Sequence, residues 1–355
     1  MTRLGRLREQ MERKNLAWMF VSNIFNVRYL SGFSGSTAGL VIGPQGANLV
    51  TDFRYEEQAG KEVYPEVKVI IDKRDVLAAT CEMLSAAEGR IGFEGQNLAY
   101  SAFEKVAGAV RAELVSTQEM VEGLRKIKDQ AELASMQQAA RVADTVFGEI
   151  RKEVKPGVSE TELAARIDFL LRRRSTDVPP FKTIVASGER ASLPHAHPTD
   201  KKIAKGDLLT MDFGGSIDGY CSDLTRTVVV GKASAKQREV YQIVLDANLK
   251  ALAGTKAGTR GNEADSLARQ HIESQGYGER FGHSLGHGVG LEVHEEPRLS
   301  QKNTEPLEVG MVATVEPGIY IPGWGGVRIE DLVVIEAQGC RLLSAAPKEL
   351  IEIGG

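Results

Sequence analysis

Four acidic side chains and one histidine interrupt short apolar segments in the second half of this 355-residue chain. The segments are TMDFGG, YCSDLTRT, LGHGVGLEVHE, TVEPGIY and GVRIEDL, and they carry, in that order, Asp212, Asp223, His287, Glu316 and Glu330. Acidic residues are disfavoured inside strands, and carboxylates that converge on one point repel each other. A fold that gathers these side chains must neutralise them, and bound cations are the simplest means. The pattern therefore predicts a site for two divalent metal ions, which is typical of metal-assisted hydrolysis.

Four of these segments are predicted to form two strand pairs. LLTMDFGG and SDLTRTVVVG flank the turn SIDGY, so antiparallel pairing brings Asp212 and Asp223 face to face, within cross-strand reach. MVATVEPGIY and GVRIEDLVVI flank IPGWGG and carry Glu316 and Glu330. A single buried glutamate usually pairs with a base, and Arg328 is available for that role, but this alternative leaves the other glutamate uncompensated. Two cations about 3.5–4 Å apart account for all four acids and can hold a shared water or hydroxide.

Histidines are concentrated near the same segments. His287 has glycine neighbours, which let the backbone and the imidazole approach a cofactor closely. His195, in LPHAHP, and His294, in LEVHEE, are candidates to donate a hydrogen bond to a developing oxyanion or to hold a substrate carbonyl. For His197 and His283, functional and structural roles are equally open.

The composition excludes several other classes of function. The net charge of −4 provides no basic footprint for nucleic acid. No apolar run approaches the roughly 20 residues that span a bilayer. The three cysteines are widely spaced and odd in number, which indicates a reducing compartment and hence the cytoplasm.

The chain is long enough for two domains, each with its own core. Alternating helices and strands indicate an α/β domain over residues 1–124, and a long helical stretch around residues 118–153 accompanies the boundary. Residues 125–355 combine helices with paired strands, which predicts an α+β domain. Within it, Ser159 and Glu162 match a capping box and predict that a helix begins there.

The same segments, together with VASGERASLPHAHP upstream, resemble the Xaa-Pro peptidases, metallopeptidases of the group that also contains methionine aminopeptidase. The resemblance covers about residues 125–355 and implies the fold called pita-bread for that domain. Residues 1–124 resemble the creatinase-type amino-terminal domain that proline-specific members carry. The resemblance also implies a homodimer and a small peptide substrate with proline at its second position.

The resemblance implies a role for each metal ligand. Asp212 would bind one ion, Asp223 and Glu330 would bridge both, and His287 and Glu316 would complete the other. Glu316 would also carry the proton during hydrolysis. A set of four carboxylates and one imidazole is hard and oxygen-rich, so it favours Mn²⁺ and is compatible with Co²⁺, Zn²⁺ or Fe²⁺.

His195 and His294 would, by the same resemblance, bind the scissile carbonyl and stabilise the tetrahedral intermediate. The nitrogen of an Xaa-Pro bond has no N–H, so ordinary backbone recognition fails and a dedicated pocket is needed. Phe181, Tyr220 and Ile319 are apolar candidates for the lining of that pocket.

Two substrate classes remain open: Xaa-Pro dipeptides, and longer peptides from which an aminopeptidase would remove the first residue. A dipeptidase benefits from a cation that faces the proline carboxylate. Arg298, four residues after His294, is suited to bidentate carboxylate binding, and Arg328 is a second candidate. We favour the dipeptidase. A catalytically inactive binding module on the same fold is less consistent with the sequence, because such a protein would have lost ligands.

Overall fold

The computed structural model describes residues 1–354 of the chain. Contacts divide the chain into two compact units, of which the first ends at Arg125 and the second begins at Lys126. This division falls one residue after the predicted boundary. No helix within residues 1–354 has both the length and the apolar character that crossing a bilayer requires.

The first unit is a mixed sheet with helices packed against it. Its strands are β1 (Trp18–Val21), β2 (Ala38–Gly43), β3 (Gly46–Asp52), β4 (Val67–Asp72), β5 (Arg90–Glu94) and β6 (Glu113–Thr117), in the sheet order β4-β3-β2-β1-β5-β6. Its helices are α1 (Arg3–Arg13), α2 (Ile24–Ser31), α3 (Glu56–Glu62), α4 (Val76–Ser85), α5 (Tyr100–Ala109) and α6 (Glu122–Arg125). β1, β2 and β3 pair antiparallel, whereas β4, β5 and β6 join the sheet through parallel pairs. Parallel neighbours need crossover connections, and helices supply them, as the predicted α/β class requires.

The second unit contains four long helices and thirteen short strands within the described residues. The helices are α7 (Gln130–Ile150), α8 (Glu160–Arg172), α9 (Ala235–Gly254) and α10 (Gly261–Ser274). The strands are β7 (Ile184–Ser187), β8 (Leu208–Phe213), β9 (Ser216–Ile217), β10 (Tyr220–Cys221), β11 (Leu224–Val230), β12 (Gly286–Gly288), β13 (Glu295–Leu299), β14 (Val312–Val315), β15 (Gly318–Ile321), β16 (Gly325–Arg328), β17 (Asp331–Glu336), β18 (Gly339–Leu342) and β19 (Glu352–Ile353). Short 3-10 helices span Phe53–Tyr55 in the first unit and Gly188–Ser192 and Gly278–Arg280 in the second.

Two helix pairs cover two sheets in this unit. The four-stranded sheet has the order β19-β11-β8-β7, and the five-stranded sheet has the order β13-β12-β14-β17-β18. Phe147 of α7 and Ile167 of α8 are buried in one core with Met211 of β8. Val244 of α9 and Ala313 of β14 belong to the other core. Each helix pair thus buries an apolar face against one sheet, and the ligand-bearing strands lie in these sheets and their connections.

The predicted capping box is confirmed. Helix α8 begins at Glu160, and the Glu162 N–H donates to Ser159 Oγ at 3.1 Å. In return, Ser159 N–H donates to Glu162 Oε2 at 2.7 Å. The two bonds satisfy donors that the first turn of a helix leaves without intrahelical partners.

Both predicted strand pairs form, but one register differs from the expectation. β8 and β11 pair antiparallel with Asp212 opposite Thr225, not opposite Asp223. Along the chain, the short hairpin of β9 and β10 connects β8 to β11, and Asp223 lies just before β11 begins. The second pair forms as β14 with β17 and, beyond a break, β15 with β16.

Candidate metal centre

The two glutamates of the predicted ligand set lie where a strand pair passes from one sheet to another. Glu316 lies between β14 and β15, and Glu330 lies between β16 and β17. The Glu316 N–H donates to the carbonyl of Leu285 at 2.8 Å, and the Glu330 N–H donates to the carbonyl of Thr225 at 3.2 Å. These hydrogen bonds lie outside the strand pair and connect the glutamates to the segments that carry His287 and Asp223.

The structure brings the predicted ligands together. Asp223, His287 and Glu330 are buried, and each offers one ligand atom within 4.8 Å of the others. Nε2 of His287 lies 3.7 Å from Asp223 Oδ2 and 3.3 Å from Glu316 Oε1. Burial lowers the pKa of His287 to about 3, so its imidazole is neutral and these contacts are not ion pairs. A neutral imidazole is the form that binds a metal ion.

The cluster has the unsatisfied charge that a pair of cations would neutralise. Oδ1 of Asp212, Oδ1 of Asp223 and Oε1 of Glu330 are buried without a hydrogen-bond partner among the described residues. Buried polar atoms normally have such partners. Burial first, and neighbouring carboxylates second, raise the pKa values of Asp223 and Glu330 well above their usual range. The donor set therefore fits divalent metal ions, which would replace both the missing partners and the missing positive charge.

Arg328 supplies one positive charge inside the cluster, but its partner is Asp212 and not a glutamate. Its Nη2 donates to Asp212 Oδ2 at 2.5 Å. The predicted pairing of Arg328 with Glu330 is therefore wrong. Nε donates to Thr225 Oγ1 at 3.0 Å, and Nη1 donates to the Tyr320 hydroxyl at 3.0 Å. The side chain is buried. Arg328 is thus engaged by the protein, and a single guanidinium compensates only part of the cluster.

Two hydroxyl groups that were not predicted from the sequence contact the ligands, and a third contacts a histidine of the same site. Thr225 Oγ1 donates to Glu330 Oε2 at 2.7 Å, and Thr314 Oγ1 donates to Glu316 Oε1 at 3.0 Å. The Tyr320 hydroxyl lies 2.9 Å from Nε2 of His283. Thr225 and Tyr320 stand in SDLTRT and VEPGIY, so their proximity to the ligands in sequence was the available signal.

The ligand cluster lines a cavity of about 360 Å³. All five predicted ligands contribute to its lining. The predicted catalytic and substrate-binding residues that also line it are Phe181, His195, His294, Arg298 and Arg328. His197 and His283, whose roles the sequence left open, line it as well.

Tyr220 and Ile319, predicted as pocket-lining residues, are placed elsewhere. Neither is part of the cavity lining. The Tyr220 hydroxyl donates to Glu132 Oε1 at 2.7 Å. Ile319 is fully buried in the apolar core beneath α9 and α10. Both predictions are wrong, because proximity to a ligand along the chain does not fix the direction in which a side chain points.

Two residues of the cavity lining, His294 and Arg298, lie beside His287. The His294 ring centroid lies 4.3 Å from that of His287, and burial lowers the pKa of His294. Arg298 faces His287 in the register of β12 and β13. The Arg298 side chain is 44% exposed, and its Nε is 3.8 Å from Glu296 Oε1. Unlike Arg328, Arg298 therefore has a guanidinium that remains accessible from the cavity.

Comparison with known proteins decides the family. Residues 134–337 match metallopeptidase family M24, and residues 3–127 match the creatinase/prolidase N-terminal domain. The chain belongs to metallopeptidase family M24. This M24 metallopeptidase is 40% identical to an Xaa-Pro dipeptidase from Pyrococcus furiosus over 353 residues, which cover 98% of this chain and 99% of that protein. The predicted Xaa-Pro peptidase family is confirmed.

Solved structures agree with the family and with the predicted fold class. An Xaa-Pro dipeptidase from Bacillus anthracis superposes on this M24 metallopeptidase with a TM-score of 0.95 and 41% identity, covering 99% of each chain. An X-Pro aminopeptidase from Thermotoga maritima MSB8 superposes with a TM-score of 0.92 and 36% identity, covering 99% of this chain and 100% of that one. The α/β amino-terminal domain and the pita-bread catalytic domain are thereby confirmed.

Proposed function

We propose that this metallopeptidase hydrolyses the Xaa-Pro bond of dipeptides with the help of two divalent ions. One observation carries the proposal: the five predicted ligands, His195, His294 and the accessible Arg298 line a single cavity. A small peptide that enters this cavity meets acidic ligands at one point and a positive charge at another.

We assign the ligands as the resemblance implies. Asp212 would hold one ion, Asp223 and Glu330 would hold both, and His287 and Glu316 would hold the other. When bound, such ions polarise the scissile carbonyl and bring the pKa of a water molecule toward neutrality. The oxygen-rich donor set favours Mn²⁺.

The chain's own residues supply the remaining chemistry. Glu316 accepts the proton of the attacking water and returns it to the proline nitrogen as the bond breaks. His195 and His294 donate hydrogen bonds to the carbonyl oxygen, where negative charge develops. Phe181 provides an apolar wall for the proline ring.

Arg298 is proposed as the residue that selects dipeptides. A dipeptide places a carboxylate directly on its proline, and a guanidinium can bind it through two parallel hydrogen bonds. Similarity to the dipeptidases of P. furiosus and B. anthracis supports dipeptides as the substrate class. The aminopeptidase from T. maritima supports a second candidate, in which this chain removes the first residue of longer Xaa-Pro peptides.

Substitution of Arg298, assayed with two substrates, separates the two candidates. Ala-Pro and Ala-Pro-Ala are hydrolysed in the presence of Mn²⁺ by the wild-type protein and by Arg298→Ala. A lost charge-assisted hydrogen bond is worth about 1.5–3 kcal/mol. The variant should therefore raise KM for Ala-Pro by roughly 10- to 100-fold, with little change in kcat.

Arg341→Ala is the matched control. Arg341 also lies in the five-stranded sheet, has a 47% exposed side chain and pairs with a neighbouring glutamate, Glu336, at 3.0 Å. It does not line the cavity. Wild-type preference for Ala-Pro-Ala, or an equal effect of Arg298→Ala on both substrates, would favour the aminopeptidase.

We further propose that residues 1–124 form the creatinase-type domain, that residues 125–355 form the catalytic domain, and that the protein is a cytoplasmic homodimer. The free cysteines Cys81, Cys221 and Cys340 are consistent with a reducing compartment. Sedimentation equilibrium tests the dimer, and cell fractionation tests the location. A monomeric mass, or recovery outside the cytoplasmic fraction, would refute the corresponding part.

A further inference from the structure

A single buried carboxylate outside the ligand cluster holds the loop that carries His195. Glu160, the first residue of α8, has no solvent exposure. Its Oε1 accepts hydrogen bonds from N and Oγ of Ser187 at 2.8 and 2.9 Å. Its Oε2 accepts from Arg190 Nε at 3.0 Å and from N and Oγ1 of Thr199 at 3.1 and 2.8 Å. One side chain thus fastens the beginning and the end of the segment 187–199.

Neighbouring bonds extend this anchor along the loop. Nη2 of Arg190 donates to the carbonyl of His197 at 2.6 Å. Nζ of Lys201 donates to Ser187 Oγ at 2.8 Å and to Asp207 Oδ2 at 2.8 Å. The loop is therefore restrained on both sides of Pro194, His195 and Ala196, all of which line the cavity.

His195 has no side-chain anchor of its own. The residue is exposed, and no hydrogen bond joins its ring to another of the described residues. Its direction therefore follows from the course of its backbone. Nη1 of Arg328 restrains that backbone on the cavity side by donating to the Pro194 carbonyl at 3.2 Å. The Glu160 bonds restrain it on the side that faces α8.

We propose that Glu160 is a positioning residue that sets the location of His195 in the cavity. The inference rests on the proposed function, in which His195 binds the scissile carbonyl. A carboxylate is suited to this task because both of its oxygens accept, and the five donors around Glu160 need acceptors on both sides. A glutamine amide would present its NH₂ group to donors on one side and break that half of the anchor. The bond from Arg190 is also charge-assisted and hence stronger than a neutral one.

A double-mutant cycle between Glu160→Gln and His195→Ala tests this role with Ala-Pro as substrate. Misplacement of a catalytic group by about 1 Å can lower the rate about 100-fold, so Glu160→Gln should lower kcat roughly 10- to 100-fold. If Glu160 acts through His195, it should cause no further loss in the His195→Ala background. Independent, multiplying effects in the double variant would overturn the proposal.

Glu162→Ala is the matched control, because Glu162 caps the same first turn of α8 but contacts none of residues 187–199. It should lower the melting temperature and leave kcat unchanged. If Glu160→Gln fails to fold, Arg190→Lys removes the Nε bond and the bond to His197 from a half-buried position. It should show a smaller loss of kcat that likewise disappears in the His195→Ala background, and a loss that persists there would count against the proposal.

Two measurements that do not use turnover separate this inference from the proposed function. In Glu160→Gln, amide hydrogen exchange should accelerate in residues 187–199 while the rest of the catalytic unit stays protected. Bound Mn²⁺ should remain at the wild-type level, because no metal ligand lies in that loop. Failure of the wild-type protein to cleave Ala-Pro would refute the proposed substrate only. Unchanged exchange in the loop would refute the role of Glu160 whatever the substrate.

Discussion

Substitution of Arg226 by methionine should destabilise the catalytic unit more than any surface change. Arg226 is 1% exposed and is the largest fully buried side chain of the described residues. Its guanidinium donates to Asp331 Oδ1 at 2.9 Å and to the carbonyls of Ala346 and Pro347 at 2.7 and 3.0 Å. It also donates to the carbonyl of Glu330. Arg226 thus joins the segment that carries Glu330 to residues 346–347 near the carboxyl terminus.

The magnitude follows from what the substitution leaves behind. Removal of one partner from a buried ion pair costs about 3–5 kcal/mol, because the remaining charge is buried and uncompensated. Burial raises the pKa of Asp331, but the charges of Arg226 and Lys348 outweigh it and hold the pKa below its usual value. Asp331 keeps Lys348 and Ser344 as partners. We therefore expect the lower end of the range, about 3 kcal/mol.

Urea unfolding of the Mn²⁺-loaded protein measures this loss. Arg341→Met is the control, because the Arg341–Glu336 pair is about half exposed and should contribute less than about 1 kcal/mol. A loss for Arg226→Met no larger than that of the control would refute the reasoning.

Two further predictions concern the ligand cluster. Asp223→Ala should abolish both bound metal and hydrolysis of Ala-Pro while the far-ultraviolet circular dichroism stays that of the folded protein, and full activity in this variant would contradict the assignment. Burial raises the pKa of Glu316 from its usual 4.5 to about 7, so the metal-free folded state holds a proton that the unfolded state releases in this range. The contribution of Glu316 to metal-free stability should thus be fully present below pH 4.5 and be lost, by roughly 3 kcal/mol, as the pH rises through 7, whereas the Mn²⁺-loaded protein should lack this fall. Urea unfolding with and without a chelator at pH 5 and pH 8 measures the difference.

The ligand set could be predicted because its signal is local. Each acidic residue interrupts an apolar segment of the sequence, and burial of an unpaired carboxylate is costly enough to demand an explanation wherever it occurs. The capping box at Ser159 and Glu162 was predictable for the same reason, since both partners lie within one helical turn.

The partners of the ligands could not be predicted in the same way. Arg328 and Asp212 are 116 positions apart, and their pairing depends on the register of β8, β11 and β16. Arg328 could equally have paired with the nearby Glu330. Tyr220 lies close to Asp223 in the chain, yet its hydroxyl bonds Glu132 in α7. Proximity along the chain misled in both cases.

The sequence by itself determined which residues are candidate metal ligands, which segments carry them, and which family they indicate. That information is carried by residue type and short spacing, because a strand or a turn fixes the geometry of close neighbours. Only the tertiary structure decided which residues pair with these groups and hold them in position. The support of His195 by Glu160, and of Glu330 by Arg226, joins elements far apart in the chain, and such contacts follow from the packing of sheets and helices rather than from any local pattern.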